Sequence, residues 1–219
     1  MVKRMTSYDK VFLTGCDQRT EWQLPWFIEN YKKHNDTPLV LANFGLSTDA
    51  LLYAKEQVHA IINLTEHAGK GWFLKPMAML HCPSKETVWL DTDCEVRENI
   101  SPIFNYIEPE KLLMGVDHPW TSRHGGKKWH NSGVVGFKGK PSILKRWKTQ
   151  INSSNKRGDQ EVLFSMLNEI TKMTYITDLP HKYNVLRIDL IDKTEPDEIA
   201  VMHWTGEKGN DEIRRQMNA

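Results

Sequence analysis

The stretch Thr87–Cys94 reads Thr-Val-Trp-Leu-Asp-Thr-Asp-Cys, an apolar run that ends in two aspartates. The apolar residues favour a β-strand, and successive side chains of a strand point to opposite faces, so Asp91 and Asp93 are expected to point the same way. Neighbouring carboxylates repel each other unless a cation lies between them, and oxygen ligands favour Mg²⁺ or Mn²⁺. The stretch therefore indicates a metal–phosphate site, with an ordinary aspartate-rich turn at the end of a strand as the alternative.

The composition fits one folded domain. The chain has 219 residues, 39% of them apolar, so one substantial core and a single domain over residues 1–219 are expected. The net charge of +1 points to no particular partner. The three cysteines lack the spacing of zinc or redox motifs, and no export signal or membrane-spanning apolar run is present. These features predict a reduced, soluble, cytoplasmic protein.

The first half alternates between short apolar runs and amphipathic segments. Strands are expected at 11–13, 38–41, 61–64 and 88–90, and helices at 22–34, 48–59 and 72–81. This order predicts an α/β fold with a mostly parallel central sheet flanked by helices. Ligands of such sheets bind beyond the carboxyl ends of the strands, where Thr14–Asp17 and Asp91–Asp93 both fall. The glycine-rich turns of dinucleotide-binding and P-loop proteins are absent, which disfavours both classes.

The second half is less regular. A strand is expected at 134–137, after Asn131-Ser132-Gly133, and helices are expected at 142–151 and 160–170. Asp159 can cap the second of these helices. Apolar runs follow at 183–191 and 199–203.

A basic segment, residues 119–158, contains ten lysines or arginines and no acidic residue, so the rest of the molecule carries a net charge of −9. Trp120, Trp129 and Trp147 are interleaved with these cations. Cations neutralise phosphates and aromatic rings stack on bases, so nucleic acid or another polyanion is a candidate partner. A solvated lysine-rich face above buried tryptophans is the alternative.

Five motifs follow one another along the chain, namely Lys75, Asp91-Thr92-Asp93, Asn131-Ser132-Gly133, Gly158-Asp159-Gln160 and His203-Trp204-Thr205-Gly206. Their order resembles the family 8 glycosyltransferases, a group with the GT-A fold that includes glycogenin and lipopolysaccharide galactosyltransferases. The resemblance extends from Val11 to about Lys208. The chain departs from the family in lacking the Pro-Trp that ends its last motif. It also lacks the aromatic residue after the first strand's aspartate, for which Trp22 is a candidate substitute.

The resemblance implies a role for each matched residue. It implies a Mn²⁺ or Mg²⁺ site formed by Asp91, Asp93 and His203. It implies contacts with the nucleotide-sugar from Thr14, Asp17, Lys75, Asp91, Asn131, Ser132 and Lys208. Asp159 and Gln160 would lie beside the transferred sugar, and Asp117 is the spare candidate for a catalytic base. About residues 1–95 would form the nucleotide-binding half and about 96–219 the half that binds the sugar and the acceptor.

The chemistry of sugar transfer fits these residue types. Cleavage of the sugar–phosphate bond leaves negative charge on the diphosphate, which a divalent cation and Lys75 can stabilise. The sugar becomes oxocarbenium-like, which an oxygen atom of Asp159 or Gln160 can stabilise. Each residue also has an ordinary interpretation, since His203 could be a core histidine, Asp159 a helix cap and Lys75 a surface charge.

We therefore expect a metal-dependent glycosyltransferase that uses a UDP-sugar and retains the anomeric configuration. Its acceptor would be a hydroxyl group, with a hydroxylated base in DNA or another phosphate-rich acceptor as the leading hypothesis. The alternatives are a transferase that acts on an ordinary glycan or protein, and a binding module that has kept the fold without turnover.

Overall fold

The computed structural model describes residues 7–67 and 71–219. Residues 1–6 and 68–70, which the expected domain includes, lie outside the described residues. The strands are, in chain order, β1 (Tyr8–Cys16), β2 (Leu39–Asn43), β3 (Ala60–Asn63), β4 (Ser84–Leu90), β5 (Cys94–Val96), β6 (Leu112–Val116), β7 (His130–Lys138), β8 (Ile176–Leu179), β9 (Val185–Leu186) and β10 (Val201–His203). The α-helices are α1 (Leu24–His34), α2 (Thr48–Gln57), α3 (Lys75–His81), α4 (His118–Arg123), α5 (Ser142–Asn152), α6 (Asp159–Ser165), α7 (Glu169–Tyr175), α8 (Arg187–Asp192) and α9 (Gly206–Met217). Short 3₁₀ turns cover Glu21–Gln23, Gly71–Leu74, Ser101–Tyr106 and His181–Tyr183.

The central sheet of the described chain has seven strands in the order β3-β2-β1-β4-β7-β6-β8. Strands β3, β2, β1 and β4 are parallel, whereas β7 runs antiparallel to both of its neighbours, and β6 and β8 are parallel. A second sheet of three strands, in the order β5-β10-β9, brings the end of the chain back to the residues that follow β4. The prediction of a mixed, mostly parallel sheet is confirmed.

Hydrophobic clusters cover both faces of the central sheet, because alternate residues of each strand point to opposite sides. On β1, Phe12 belongs to one cluster, and Val11 and Leu13 belong to the other. Helix α1 packs into the first cluster, and helices α3, α5 and α6 pack into the second. Trp147 on α5 is fully buried there, so for this tryptophan of the basic segment the core interpretation is correct.

The helix expected at 160–170 is wrong in its extent, because the structure has two helices there, α6 and α7. The side chain of Asn168 accepts a hydrogen bond from the Thr171 backbone N–H. The Thr171 hydroxyl in turn accepts a hydrogen bond from the Asn168 backbone N–H. This capping box starts a new helix after the break. The helix expected at 72–81 begins instead as a 3₁₀ turn and becomes regular at Lys75, with Pro76 in its first turn, where a missing N–H does no harm.

All three cysteines are free and buried. Within residues 7–67 and 71–219, none of the helices combines the length and the apolar character needed to cross a bilayer.

Candidate functional site

A cavity at the carboxyl ends of β1 and β4, cavity A, contains several of the residues that the sequence singles out. Segments that are distant in sequence form its wall, from the ends of both strands, from the start of α3 and from the start of α9. The residues that line cavity A include Asp17, Phe44, Trp72, Lys75, Trp89, Asp91, Asp93, Gly206 and Asn210.

The two aspartates of the Asp-x-Asp motif occupy a tight turn rather than an extended strand. Strand β4 ends at Leu90, and the Cys94 backbone N–H donates to the Asp91 carbonyl at 3.1 Å, which closes the turn. The extended backbone expected for these residues is therefore wrong, but both carboxylates still approach the same atom, His203 Nε2, at 4.0 Å and 3.1 Å. In the turn, Asp91 lies against Lys75, and Asp93 lies against His203.

Lys75 is the centre of the polar network. Its ammonium lies 2.9 Å from an Asp91 oxygen and 3.4 Å from an Asp159 oxygen, and it donates to the Ser132 carbonyl at 3.0 Å. The side chain is only 3% exposed, so it is not a surface charge. Burial alone would lower the pKa of Lys75, but the attraction of Asp159 and Asp91 outweighs it and raises that pKa above its ordinary value. A permanently charged ammonium is thus fixed beside the wall of cavity A.

Trp89 holds the Asp91 carboxylate from the other side. Its indole N–H donates to Asp91 Oδ1 at 2.6 Å, and the ring lies under the Lys75 ammonium, 5.6 Å from the ring centroid. Burial raises the pKa of the Asp91 carboxyl, Lys75 opposes this shift, and the nearby charge of Asp93 adds to it. The orientation of Asp91 is therefore set by two neighbours that both precede it in the chain.

His203 faces Asp93 with one ring nitrogen and a neutral amide with the other. Its Nε2 lies 3.1 Å from Asp93 Oδ1 and 4.0 Å from Asp91 Oδ2. Its Nδ1 lies 3.1 Å from Asn184 Oδ1, and an amide oxygen can only accept, so Nδ1 carries the proton. Burial alone would lower the pKa of His203, but Asp93 raises it overall. The arrangement leaves Nε2 as the atom that faces the two aspartates.

A break in the pairing of β6 with β7 places the Asn131-Ser132-Gly133 motif in this site. Met114 pairs with Val135, but the next residue, Gly115, pairs with Asn131, so the intervening residues of β7 leave the ladder. Bulges of this kind redirect a strand next to functional sites. The motif is therefore a bulge inside β7, whereas the sequence predicts that the strand begins only after the motif, at residue 134.

Two glycines in this region make room for the His203–Asn184 pair. A Cβ atom on Gly133 would lie 2.0 Å from His203 Cε1, and a Cβ on Gly115 would lie 2.7 Å from Asn184 Nδ2. Neither distance is compatible with a side chain, so the histidine can sit in this position only because both residues are glycine.

Ser132 connects Lys75 to Asp159 and Gln160 at the start of α6. Its hydroxyl donates to Asp159 Oδ2 at 3.1 Å, and its backbone N–H donates to Gln160 Oε1 at 2.9 Å. The Asp159 carbonyl also accepts a bond of 2.8 Å from the Trp147 indole. Asp159 is therefore an ion-pair partner of Lys75 as well as the first residue of a helix.

Gln160 also lines a second cavity, cavity B, of about 550 Å³. Asp117 also lines this cavity. It is the N-cap residue of α4, and its Oδ1 accepts a hydrogen bond from the Trp120 backbone N–H at 2.9 Å. Burial raises the pKa of the Asp117 carboxyl above its ordinary value, although the Trp120 hydrogen bond opposes that shift. Asp117 thus lines cavity B together with Gln160 and is not part of the wall of cavity A.

Of the residues expected to contact the nucleotide-sugar, Thr14, Asn131, Ser132 and Lys208 do not line cavity A. The side chain of Thr14 is fully buried and is not part of the cavity A wall, and its hydroxyl has no hydrogen-bond partner among the described residues. Lys208 is exposed on α9, whereas Gly206 and Asn210 of that helix line the cavity. Asp17 does line it, but Arg19 holds its carboxylate with hydrogen bonds from Nε at 3.1 Å and Nη2 at 2.6 Å.

Sequence reasoning missed Asn184 and Trp72. Asn184 stands alone between two apolar segments, and nothing in the sequence marks it as a partner of His203. Trp72 lines cavity A, 39% exposed, with the Arg19 guanidinium 4.9 Å from its ring centroid. Trp22, the expected aromatic residue, is not in the cavity wall and packs instead against Arg214.

The residues around Asp93 are suited to a divalent cation. Adjacent ligands of an octahedral ion with bonds of about 2.1 Å lie about 3.0 Å apart, and the distance from Asp93 Oδ1 to His203 Nε2 is 3.1 Å. Asp91 and Asp159 share the single ammonium of Lys75, and Asp93 lies against His203, so three carboxylates are gathered around one lysine and one histidine, an arrangement that a divalent cation would balance.

A compact group of ligand-type side chains consists of Asp93, Cys94 and His203, with their ligand atoms within 4.8 Å of one another. Cys94 is a poor partner for a hard cation, because burial and the neighbouring aspartates raise the pKa of its thiol well above the ordinary value. Oxygen ligands from Asp91 and Asp93 suit Mg²⁺ or Mn²⁺ better.

Comparison with solved structures defines the fold. The chain resembles the galactosyltransferase LgtC in complex with donor and acceptor sugar analogues, with 12% identity, a TM-score of 0.65 and coverage of 95% of this chain and 94% of that one. It resembles the apo form of the glycosyltransferase GlyE of Streptococcus pneumoniae, with 14% identity, a TM-score of 0.68 and coverage of 91% of this chain and 55% of GlyE. It also resembles apo mouse xyloside xylosyltransferase 1, with 13% identity, a TM-score of 0.56 and coverage of 90% and 97%.

No protein-family model matches the chain, and no curated protein matches it by sequence. The structural likeness establishes that the chain has the fold of the GT-A glycosyltransferases, and this prediction is confirmed.

Proposed function

We propose that this protein is a glycosyltransferase that moves a sugar from a nucleotide-diphospho-sugar to a hydroxyl acceptor. The observation that carries the proposal is the buried Lys75 ammonium, fixed between Asp91 and Asp159 in a cavity that also contains Asp93. A cation placed permanently at the carboxyl end of the sheet can stabilise the charge that a departing diphosphate gains. The GT-A fold of the chain supports this reading of the site.

Cavity A is the proposed site of the nucleotide and diphosphate, with uridine as the nucleoside. Phe44 and Trp72 offer aromatic faces in its wall, and Asp17 offers a carboxylate to the ribose once Arg19 releases it. Helix α9 begins at Gly206 in the same wall, and the N-terminus of a helix attracts phosphate through its free backbone N–H groups. The nucleotide and sugar halves, about residues 1–95 and 96–219, meet at this cavity in our proposal.

Asp91, Asp93 and His203 would hold Mn²⁺ or Mg²⁺, which when bound supplies Lewis-acid stabilisation of the diphosphate. Asn184 keeps the proton on His203 Nδ1, so that Nε2 stays available as a ligand. Lys75 restrains Asp91 and contributes its own charge to the leaving group.

Asp159 and Gln160 would lie beside the transferred sugar. Gln160 is held through Oε1, and its amide nitrogen has no hydrogen-bond partner among the described residues. A LgtC variant in which an active-site glutamine is changed to glutamate is among the similar structures, which supports a role for a glutamine. We propose retention of configuration, with a leaving phosphate oxygen taking the acceptor proton. An inverting reaction would need Asp117 as the base.

A phosphate-rich acceptor such as DNA has weaker support than an uncharged one. Several cations of the basic segment are already neutralised, because Arg123 pairs with Asp192, Lys128 with Asp178 and Lys138 with Glu86. Pairing reduces the number of counterions that a phosphate backbone could displace.

The test is hydrolysis of UDP-sugars, followed as UDP release, with Mn²⁺ and with EDTA. We expect Mn²⁺-dependent release that Asp93→Asn reduces by at least about a hundredfold, a loss of roughly 3 kcal/mol in transition-state stabilisation. The matched control is Asp36→Asn, an exposed aspartate outside both cavities. Binding of UDP-sugars without release of UDP, with or without acceptors, would instead identify a binding module.

A thermal-shift panel of UDP-, GDP-, ADP- and CMP-sugars reports the nucleobase, because a ligand of the folded state raises the melting temperature. We expect the largest Mn²⁺-dependent shift with UDP-sugars.

A further inference from the structure

Cavity B combines an exposed tryptophan with a supporting stack of aromatic rings. Trp120 on α4 is 45% exposed and lines the cavity. His124 stacks on its ring at 3.9 Å between centroids with an interplanar angle of 14°, and the Trp129 ring lies 5.8 Å away. Trp129 in turn packs at 4.5 Å against Phe164, which is buried. The Trp120 ring is therefore held by its aromatic neighbours while 45% of the residue stays exposed.

An aromatic ring that stays exposed to water forgoes the hydrophobic stabilisation that burial would give, and packing within this chain does not require the exposure. Large exposed apolar side chains are informative when they lie in a concave site, because ligand pockets are mostly apolar with a few placed polar groups. The volume of cavity B, about 550 Å³, lies within the usual range for such pockets. An apolar ring face of a ligand can pack on Trp120 and gain dispersion and hydrophobic stabilisation.

Two polar side chains that line the same cavity as the tryptophan have unused hydrogen-bonding capacity. Among the described residues, the Asp117 carboxylate receives its hydrogen bond at Oδ1, which leaves Oδ2 to accept. The Gln160 amide is anchored through Oε1, which leaves its N–H groups to donate. An acceptor and a donor in the same cavity as an exposed aromatic ring match the hydroxyl groups at the edge of a sugar ring.

The charge of the cavity disfavours a phosphate backbone. Of the cations in the basic segment, Lys156 is the one that lines cavity B among the described residues, and it lies with two carboxylates, Asp117 and Glu161. Other cations of the segment line separate surfaces, including Lys127 and Lys128 beside Asp178. A polyanion in cavity B would face more negative than positive charge, whereas an uncharged polyol would not.

Cavity B is joined to cavity A by a short polar chain. Gln160 accepts from the Ser132 N–H at 2.9 Å, and Lys75 donates to the Ser132 carbonyl at 3.0 Å. Lys75 lines cavity A and Gln160 lines cavity B, so a single residue separates the two lining residues. A ligand of cavity B is thus placed next to the sugar that cavity A would present.

We propose that cavity B is the acceptor subsite and that it binds a saccharide, with an apolar face of one sugar ring packed on Trp120 and with hydroxyl groups bonded to Asp117 and Gln160. The inference rests on the proposed glycosyltransferase function and assigns its acceptor class. It replaces the polyanion hypothesis with an uncharged carbohydrate.

The experiment is direct binding of the whole protein, with UDP and Mn²⁺ present, to an array of immobilised glycans with neutral hexose, pentose, heptose and N-acetylhexosamine termini, and to a DNA duplex. We expect binding to at least one glycan class and none to DNA. For the glycan bound best, Trp120→Ala should weaken affinity by about tenfold or more, as is common for central aromatic contacts, and Trp120→Phe should recover most of it. Tyr106→Ala removes an aromatic side chain of similar exposure, 43%, outside the cavity and serves as the matched control.

Binding to no glycan on the array, equal loss in Trp120→Ala and Tyr106→Ala, or DNA binding that depends on Trp120 would each overturn the inference. The melting temperature of every variant separates loss of binding from loss of folding. Mn²⁺-dependent release of UDP by the unaltered protein tests the glycosyltransferase proposal separately. UDP release without glycan binding would therefore reject the subsite and leave the wider function standing.

Discussion

Asn184 Oδ1 lies 3.1 Å from His203 Nδ1, so a neutral amide fixes the tautomer of the histidine that faces Asp93. Asn184 is itself fixed, because its amide nitrogen donates to Asn131 Oδ1 at 3.1 Å. The two asparagines and the histidine form one connected unit whose members come from β7, from the segment before β9 and from β10. Partners of this type orient metal-binding histidines and tune their affinity.

Changing Asn184 to Ala is expected to weaken Mn²⁺ binding by about 10–100-fold, because His203 then loses the acceptor that holds its ring. Isothermal titration calorimetry with Mn²⁺ measures the effect. The control is Asn155→Ala, an exposed asparagine, which should bind Mn²⁺ as the unaltered protein does. Equal Mn²⁺ affinity in both variants would show that Asn184 does not orient the histidine.

Changing Gly133 to Ala is expected to lower the free energy of unfolding by about 1–3 kcal/mol, as overpacking usually does. The added Cβ would lie 2.0 Å from His203 Cε1, so either the imidazole or the strand must shift. Urea unfolding measures the change, and the same sample should show weaker Mn²⁺ binding. Gly158→Ala is the matched control, because a Cβ there meets nothing within 4 Å. Similar unfolding midpoints for the two variants would contradict this account of the glycine.

Changing Lys75 to Met is expected to destabilise the metal-free protein by about 3 kcal/mol, the lower end of the range for a broken buried ion pair. The lower end applies because Asp91 keeps 27% of its side chain exposed and can be partly solvated. Urea unfolding in EDTA measures the loss, and added Mn²⁺ should restore part of it by neutralising the same carboxylates. Lys85→Met breaks an ion pair in which both side chains are exposed and should leave the unfolding free energy nearly unchanged.

The stability of the fold should fall in acid partly through Asp189, which is fully buried. Burial alone would raise the pKa of Asp189, but His181, the Thr194 hydroxyl and the Leu186 backbone N–H lower it below the ordinary 3.8. A depressed pKa contributes stability above that ordinary value, and the contribution is lost as the pH falls through the lowered pKa.

Unfolding free energies measured from pH 6 down to pH 2.5 test this, with Asp189→Asn as the variant. The difference between the unaltered protein and Asp189→Asn should be largest near pH 6 and should shrink below about pH 4. Asp36→Asn, at an exposed position, is measured over the same range as the matched control. A difference that stays constant over the whole range would exclude Asp189 as a source of the acid sensitivity.

The sequence predicts the first half of the fold well because its strands and helices alternate with clear periodicity. The parallel order of β1 to β4 follows from that alternation, and the position of Asp91 at the end of a strand follows from the apolar run before it. The conformation of the Asp-x-Asp motif does not follow, because the turn depends on the Cys94–Asp91 hydrogen bond and on the pairing of β5 with β10.

Contacts between residues far apart in sequence explain what sequence reasoning missed. Asn184 reaches His203 only after β9 pairs with β10, and Trp72 reaches cavity A only when the 3₁₀ turn packs beside Asp17. Thr14 was expected at the cavity because it is near the end of β1, but the alternation of the strand turns its side chain into the core. Because side chains alternate along a strand, a shift of one residue decides whether a side chain faces the core or the cavity.

The small sheet that pairs β10 with β5 has a consequence for the order of events during synthesis. A nascent chain that has left the ribosome through β8 can already form β4, which ends just before Asp91, but it lacks His203 and the partner strand of β5. In the proposed metal site the two aspartates would then have no imidazole beside them, so tight binding of an ion would have to follow the synthesis of β10.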